Sequence, residues 1–69
     1  MKATAKFTEN DGRSWFELNG TDNGTGHEFN SETYGVTKDG EILDADGVPL
    51  NEDDWECIAV LNALTNWTA

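Results

Sequence analysis

The hydrophobic pattern of this chain changes its period near residue 51, and this change limits the folds that the chain can adopt. Residues 1–50 hold short alternating runs separated by turns rich in Asn, Asp and Gly, whereas residues 52–66 contain neither Gly nor Pro. Alternation is typical of half-buried strands, and a period near 3.6 is typical of amphipathic helices. We therefore predict a β-sheet from the first part and a helix from the second, an α+β fold.

Two strands are predicted before residue 20. Residues 2–8 alternate, and so do residues 14–19, with the turn-forming segment 9–12 between them. Asn, Asp and Gly tolerate the backbone angles of a tight turn, so the pattern indicates a hairpin. One side of the first strand, predicted to be half-buried, consists of Ala3, Ala5 and Phe7; in the second strand, Phe16 and Leu18 face away from Trp15 and Glu17.

The segments that follow have less regular patterns. Residues 20–26 hold three glycines and no large apolar side chain, so we expect a mobile surface loop that contributes nothing to the core. A third strand is predicted within residues 27–37, with residues 30–32 as a point where it can break in two. The remaining predictions are a turn at 38–40, a short strand at 41–44 and a second turn at 46–47.

Residues 51–67 predict the C-terminal helix. Asn51 is placed as the N-cap, and the next three residues, all acidic, are placed in the first turn, where the helix dipole favours negative charge. Trp55 lies off the main apolar stripe, so either a second face of the helix is covered or Trp55 is exposed. The stripe predicted to pack on the sheet consists of Cys57, Val60, Leu61, Leu64 and Trp67.

A length of 69 residues allows one domain, near the lower size limit for folding without disulfides or a metal. We expect a single domain over residues 1–69, with strands and turns in residues 1–50 and the helix in residues 51–67. The predicted architecture is a small antiparallel β-sheet of three to four strands with one C-terminal α-helix packed on one face.

The charge of the chain excludes several classes of function. Fourteen Asp and Glu against four Lys and Arg give a net charge of −10, which repels nucleic acid and anionic membranes and favours a basic partner. No segment is apolar for long enough to span a membrane, and the N-terminal residues do not resemble a signal peptide. We therefore expect a cytoplasmic protein that contacts neither membrane nor nucleic acid directly.

The sequence contains no motif that carries catalysis. No nucleophile motif surrounds Ser14 or Ser31, and a thiolate zinc site lacks ligands because Cys57 and His27 are the only residues of their types. We expect no enzymatic activity, no cofactor and no dedicated metal site. The carboxylates around Asp44 could still form a weak calcium site, although their spacing does not match an EF-hand loop.

The acidic residues are unevenly distributed along the chain. Residues 1–13 carry a net charge of +1, residues 14–69 carry −11, and residues 39–56 contain eight carboxylates and no base. Such a density destabilises a compact fold, which indicates a function beyond solubility. Trp55 lies within this segment and is predicted to be an apolar anchor. The predicted partner-binding carboxylates are Asp39, Glu41, Asp44, Asp46, Glu52, Asp53, Asp54 and Glu56.

By its size, its acidic segment and its lack of a catalytic or metal motif, the chain resembles the small, strongly acidic anti-CRISPR proteins of phages and mobile elements that mimic DNA. The resemblance covers the whole chain and carries no residue motif. It implies a non-enzymatic inhibitor, a monomer or homodimer, that binds a basic, nucleic-acid-binding surface of a bacterial defence complex, such as a type I Cascade. Two alternatives stay open: an acidic protein–protein interaction module of a phage or host regulator unrelated to nucleic acid, and a weak calcium-binding domain.

Overall fold

The computed structural model describes residues 2–67 and confirms the predicted α+β architecture. Four strands form one antiparallel sheet in the order β1-β2-β3-β4, so each strand pairs with the next one along the chain, and a single helix follows them. The bounds are β1 Lys2–Thr8, β2 Ser14–Thr21, β3 Glu28–Val36, β4 Ile42–Leu43 and α1 Trp55–Trp67. Within the described residues, no helix is long and apolar enough to cross a membrane.

The core lies between one face of the sheet and helix α1. The sheet and the helix contribute side chains to one buried cluster, and the partly buried Ala3, Val36, Leu50 and Leu64 pack against it. Burial of this apolar surface is the main favourable contribution to folding in a domain of this size. The buried members are Leu18, Phe29, Tyr34 and Ile42 from the sheet and Cys57, Ala59, Val60 and Ala63 from the helix.

A bulge in β3 places both of its large aromatic side chains in this core. Between two successive pairings with β2, β3 has one extra residue, and Ser31 there adopts a φ of 55°. Phe29 and Tyr34 would face opposite sides of a regular strand, because side chains alternate along it. With the extra residue both are buried, and their ring centroids lie 5.6 Å apart. The break expected at residues 30–32 is therefore a bulge within one continuous strand.

A second irregularity changes the predicted orientation of β1. The register shifts between Ala5 and Phe7, so that Phe7 pairs with Trp15, and the two ring centroids lie 6.4 Å apart. Phe7 is 59% exposed, and Ala5 is exposed as well. The predicted half-buried side of this strand is therefore correct only for Ala3. The shift accounts for Phe7, because its partner Trp15 lies on the opposite face of β2 from Leu18, the partner of Ala3.

The segment after β2 is tied to the helix by a buried carboxylate. Asp22 is 5% exposed, and its Oδ2 accepts hydrogen bonds from the Thr25 amide at 2.9 Å, the Thr25 hydroxyl at 2.7 Å and Asn62 Nδ2 at 3.2 Å. None of residues 20–26 joins the hydrophobic cluster, as predicted, but the prediction of one surface loop over the whole segment is wrong. The first two of them belong to β2, and the contact with α1 is made by a polar side chain, which hydrophobic patterning does not detect.

Helix α1 begins later than predicted. The Asp54 carbonyl accepts the first helical hydrogen bond, from the Ile58 amide at 3.1 Å, which places Asp54 at the N-cap. Asn51 instead closes a turn: its Oδ1 accepts from the Asp53 amide at 3.0 Å and its carbonyl from the Asp54 amide at 3.0 Å. The assignment of Asn51 as N-cap, with Glu52, Asp53 and Asp54 in the first turn, is therefore wrong, because an Asn side chain closes turns as readily as it caps helices.

The buried face of α1 also differs from the predicted stripe. Cys57 and Val60 are buried as expected, but Leu61 is 44% exposed while Ala59 and Ala63 are buried. The small alanine side chains let the helix approach the sheet, and a stripe drawn from large apolar residues alone misses them. The side chain of Trp67, also part of the predicted stripe, lies outside the part of the chain that the structure describes.

Candidate functional site

The predicted partner-binding residues lie around strand β4 and the start of α1, but they do not form one site. Three of the carboxylates line one depression of the surface and three others line a second. Asp53, Asp54 and Trp55 line neither depression and are exposed just before and at the first residue of the helix. The two depressions differ in chemistry.

The first depression, called the groove below, lies between the β3–β4 turn and α1 and has a volume of about 540 Å³. Ile42 and Cys57, each 3% exposed, give it an apolar floor. Its carboxylates come from the turn before β4 and from the turn before α1, and all three are exposed. The groove therefore combines an apolar floor with an acidic rim. It is lined by Thr37, Asp39, Gly40, Glu41, Ile42, Leu50, Glu52, Cys57 and Leu61.

The turn that carries two of the groove carboxylates is fixed by hydrogen bonds. The Thr37 amide donates to the Glu41 carbonyl at 2.9 Å, and the Glu41 amide donates to Thr37 Oγ1 at 2.9 Å. The Gly40 amide donates to the Thr37 carbonyl at 2.9 Å, and Gly40 has a φ of 90°, which favours glycine. Two bonds to Thr37 thus hold the backbone of Glu41 at the groove, and a third bond to Thr37 closes the turn at Gly40.

The second depression, called the cleft below, has a volume of about 340 Å³ and is mainly acidic. Glu32 on β3 belongs to it, although no sequence pattern singled this residue out. Only the strand order, which places β3 beside β4, brings Glu32 to the carboxylates that follow β4. The cleft is lined by Glu32, Thr33, Tyr34, Asp44, Ala45, Asp46 and Glu56.

A hydrogen bond between sheet and helix forms one wall of the cleft. The hydroxyl of Tyr34, which is 2% exposed, donates to the carboxylate of Glu56 in the first turn of α1. Burial, and then this hydrogen bond, raise the pKa of Tyr34 above its ordinary value, so the phenol stays protonated and remains a donor. Glu56 therefore holds the helix to the sheet as well as contributing charge.

The side chain of Asp44 closes the turn that carries Ala45 and Asp46 of the cleft. Its Oδ1 accepts hydrogen bonds from the Asp46 amide at 2.9 Å and the Val48 amide at 3.0 Å. The Asp44 amide donates in turn to the Val48 carbonyl at 2.9 Å. This is the turn chemistry for which Asp is preferred. Of the cleft carboxylates, Asp44 thus has a structural role that its neighbour Asp46 lacks.

We expect Asp44→Ala to lower the free energy of unfolding by about 1–2 kcal/mol, because two amides of the turn lose their acceptor. Asp46→Ala is the matched control and should change stability by less than about 0.5 kcal/mol, since its carboxylate is exposed. Urea unfolding followed by tryptophan fluorescence measures both values. Equal losses in the two variants would contradict the structural role assigned to Asp44.

The acidic segment is not neutralised by the bases of the same chain. Within residues 2–67 the ion pairs are Lys6–Glu17 at 3.7 Å and Arg13–Asp11 at 3.2 Å, and both lie in the β1–β2 hairpin. None of the eight carboxylates of residues 39–56 takes part in an ion pair within that range. Their negative field is therefore directed at solvent and at any partner.

Trp55 is 68% exposed, which answers the question that the helical pattern left open. It lies between Asp54 and Glu56 in the chain, at the first residue of α1. An exposed tryptophan beside carboxylates provides apolar contact area within a charged surface, as interface hot spots often do. The exposure is a fact of the structure, and the role of Trp55 as an anchor stays a prediction.

The described residues offer little for metal or thiol chemistry. Across residues 2–67, no group of three or more His, Cys, Asp or Glu side chains is placed to hold a metal ion. Burial, and then the charges of Glu52, Asp54 and Glu56, raise the pKa of the Cys57 thiol, which keeps it protonated and poorly nucleophilic. What the arrangement can do is to present fixed negative charge and small apolar surfaces to a partner.

Comparison with protein-family models, with curated proteins and with solved structures gives no match to this chain. The fold and the site define it as a small α+β protein whose acidic surface surrounds β4 and the start of its helix. The function is therefore argued from that surface.

Proposed function

We propose that this protein is a non-enzymatic inhibitor that binds the nucleic-acid-binding surface of a basic protein and excludes DNA from it by acidic mimicry. The observation that carries the proposal is the placement of carboxylates in the groove and the cleft, near either end of β4, with no ion pair to bases within residues 2–67. A chain with a net charge of −10 that leaves this field open is suited to a cationic partner.

The spacing of the two acidic groups supports mimicry of a duplex. Glu41 precedes β4 and Asp44 follows it, so their Cα atoms are separated by three steps of extended chain, on the order of 10 Å. The two phosphate rows of DNA border grooves about 6 and about 12 Å wide. The Cα separation of the two ends of β4 thus has the same order of magnitude as these widths.

The rigidity of the turns favours tight binding. Hydrogen bonds fix Glu41 through Thr37, the Asp44 turn through two amides, and Glu56 through Tyr34. A partner that binds these carboxylates does not have to order a flexible acidic tail, so less conformational entropy is lost on association. Opposite net charges also accelerate the encounter.

The resemblance to acidic anti-CRISPR proteins suggests the class of target. A CRISPR surveillance complex such as a type I Cascade has a lysine- and arginine-rich surface that receives target DNA, and the protein would occupy that surface. This assignment rests on size and charge. The competing assignment, an interaction module with a basic partner unrelated to nucleic acid, is separated from it by the experiment below.

We expect the double variant Asp46→Lys with Asp53→Lys to bind its target at least about tenfold more weakly, a loss of about 1.4 kcal/mol. The matched control, Asp11→Lys with Glu28→Lys, changes the net charge equally at exposed acids outside the acidic segment, and it should bind within about threefold of the wild type. The target is first captured from a lysate of a CRISPR-bearing bacterium and then purified. Binding of labelled DNA duplex to it is measured with each variant as competitor.

Mimicry predicts that duplex DNA and salt at about 0.5 M both release the captured complex, because screening weakens exposed charge pairs. If DNA does not displace the partner, mimicry is contradicted and the alternative of an interaction module is supported. Equal weakening by the site variant and by its control would show that the acidic segment is not the binding surface.

A further inference from the structure

We propose that the groove is a binding site for a single long basic side chain, a lysine or arginine of the partner. Its methylene stem would lie on the apolar floor, and its charged end would meet the carboxylates of the rim. The inference rests on the proposed function, since the basic partner is its source. It goes beyond general charge attraction because it names the place where a basic side chain binds, the groove, and the apolar contact that favours this place.

The floor and one wall of the groove are apolar. Ile42 and Cys57 are each 3% exposed, Leu50 is partly buried, and Leu61 on α1 is 44% exposed at the groove. Mimicry of phosphates by charge alone does not explain an exposed leucine at the groove. Contact with the stem of a basic side chain would remove this surface from water, which is favourable.

The acidic rim of the groove favours a positively charged occupant. Asp39 and Glu41 come from the turn before β4, and Glu52 comes from the turn before α1, so carboxylates reach the groove from two connections. Among the residues that the structure describes, no base lines the groove. Lysine and arginine bury their stems along apolar surface and keep the charged end at a polar boundary, and this groove provides both parts.

The cleft differs from the groove in this respect. Ala45 is its small aliphatic residue, and the hydroxyl of its aromatic residue, Tyr34, is already engaged with Glu56. The cleft therefore attracts charge without offering a comparable apolar surface for a stem. A basic side chain with a long stem should prefer the groove, whereas a small cation should discriminate little between the two depressions.

Two peptides test the inference, at a pH low enough that the side-chain amines of both are fully protonated and their charges are equal. Capped tetralysine is compared with the same peptide built from 2,3-diaminopropionic acid, whose side chain is three methylenes shorter. Both are titrated at low salt into the uniformly nitrogen-15-labelled protein, and backbone amide shifts are recorded. We expect tetralysine to bind at least about fivefold more tightly, because only its stem reaches the apolar floor. The largest shifts with tetralysine should fall at residues 41, 42 and 61.

Exposed apolar residues provide the matched variants. Leu61→Ser should reduce the advantage of tetralysine to less than about twofold. Val48→Ser removes an apolar side chain that is 55% exposed and outside the groove lining, and it should leave the advantage intact. The unperturbed amide spectrum of each variant reports that its fold is retained.

Equal affinities of the two peptides, or an advantage that survives Leu61→Ser, would overturn the stem-binding site. The proposed function would stand in that case, provided that DNA still displaces the target and the double charge reversal still weakens binding. If the peptides behave as expected but DNA does not displace the target, the groove is a lysine site of an interaction module. That result would contradict mimicry of DNA but not the proposed groove site.

Discussion

Gly35→Ala is expected to lower the free energy of unfolding by about 2–3 kcal/mol, a large part of the stability of a domain this small. A Cβ atom at Gly35 would lie 2.8, 2.9 and 3.1 Å from three ring carbons of Trp15, its cross-strand partner. Carbon atoms do not approach so closely without displacement. The indole cannot turn aside freely, because its N–H donates to a Glu9 carboxylate oxygen at 3.0 Å.

A double-mutant cycle separates this clash from the general cost of removing glycine. Trp15→Leu removes the ring atoms that a new Cβ would meet, and it costs about 1–3 kcal/mol through lost burial. In that background, Gly35→Ala should cost less than about 1 kcal/mol. Urea unfolding followed by circular dichroism gives the four values. The same loss in both backgrounds would show that the ring contact is not the reason for glycine.

The sheet could be predicted because its signals are local. Alternation in residues 14–19 and the turn residues at 9–12 indicate the first hairpin, and the predicted turn at 38–40 lies between the third and fourth strands, as observed. An irregularity is predicted at residues 30–32, but its being a bulge at Ser31 is not, because the two pairings that define a bulge depend on a partner strand. Without the bulge, alternation assigns Phe29 and Tyr34 to opposite faces, although both are buried in one core.

The start of the helix shows a limit of local chemistry. Asn51 and Asp54 are both residue types whose side chains can accept hydrogen bonds from backbone amides, and both precede a helical pattern. A turn closed by Asn51 competes with a helix that begins there, and the structure has the turn first and the helix after Asp54. No feature of the sequence alone decides whether Asn51 closes a turn or begins the helix.

The acidic surface could be predicted from charge, but its division could not. Composition identified the eight carboxylates of residues 39–56, whereas their separation into groove and cleft depends on where β4 lies against α1. Glu32 is not among the predicted site residues because it lies on β3, outside the acidic segment 39–56. Leu61 was expected in the core, and it lines the groove instead, because alanines occupy the face of α1 nearest the sheet.

Asp22→Ala is expected to lower the free energy of unfolding by about 2–4 kcal/mol. The carboxylate joins the segment after β2 to α1, because one oxygen accepts from the Thr25 amide, the Thr25 hydroxyl and Asn62 Nδ2. Its removal leaves these donors without their acceptor in a site where Asp22 itself is 5% exposed. Asp46→Ala, at an exposed carboxylate, is the control and should cost less than about 0.5 kcal/mol.

The contribution of Asp22 should also depend on pH in a defined direction. The hydrogen bond from the Thr25 hydroxyl, aided by those from Asn62 and the backbone and opposed by burial, lowers the pKa of Asp22 below its ordinary value. A carboxyl with a lower pKa in the folded state stabilises the fold fully above its unfolded pKa, about 3.9. That stabilisation is lost as pH falls through the folded-state pKa.

The test compares the wild type with Asp22→Asn, which cannot titrate at this position, by urea unfolding between about pH 7 and about pH 2.5. The difference in free energy of unfolding should be constant from pH 7 down to about pH 5 and should then shrink, because protonation of Asp22 removes the advantage of the charged acceptor. The same comparison with Asp46→Asn provides the baseline for losing one exposed acid. A difference that grows as the pH falls would mean that burial outweighs the hydrogen bonds and that the folded-state pKa is raised.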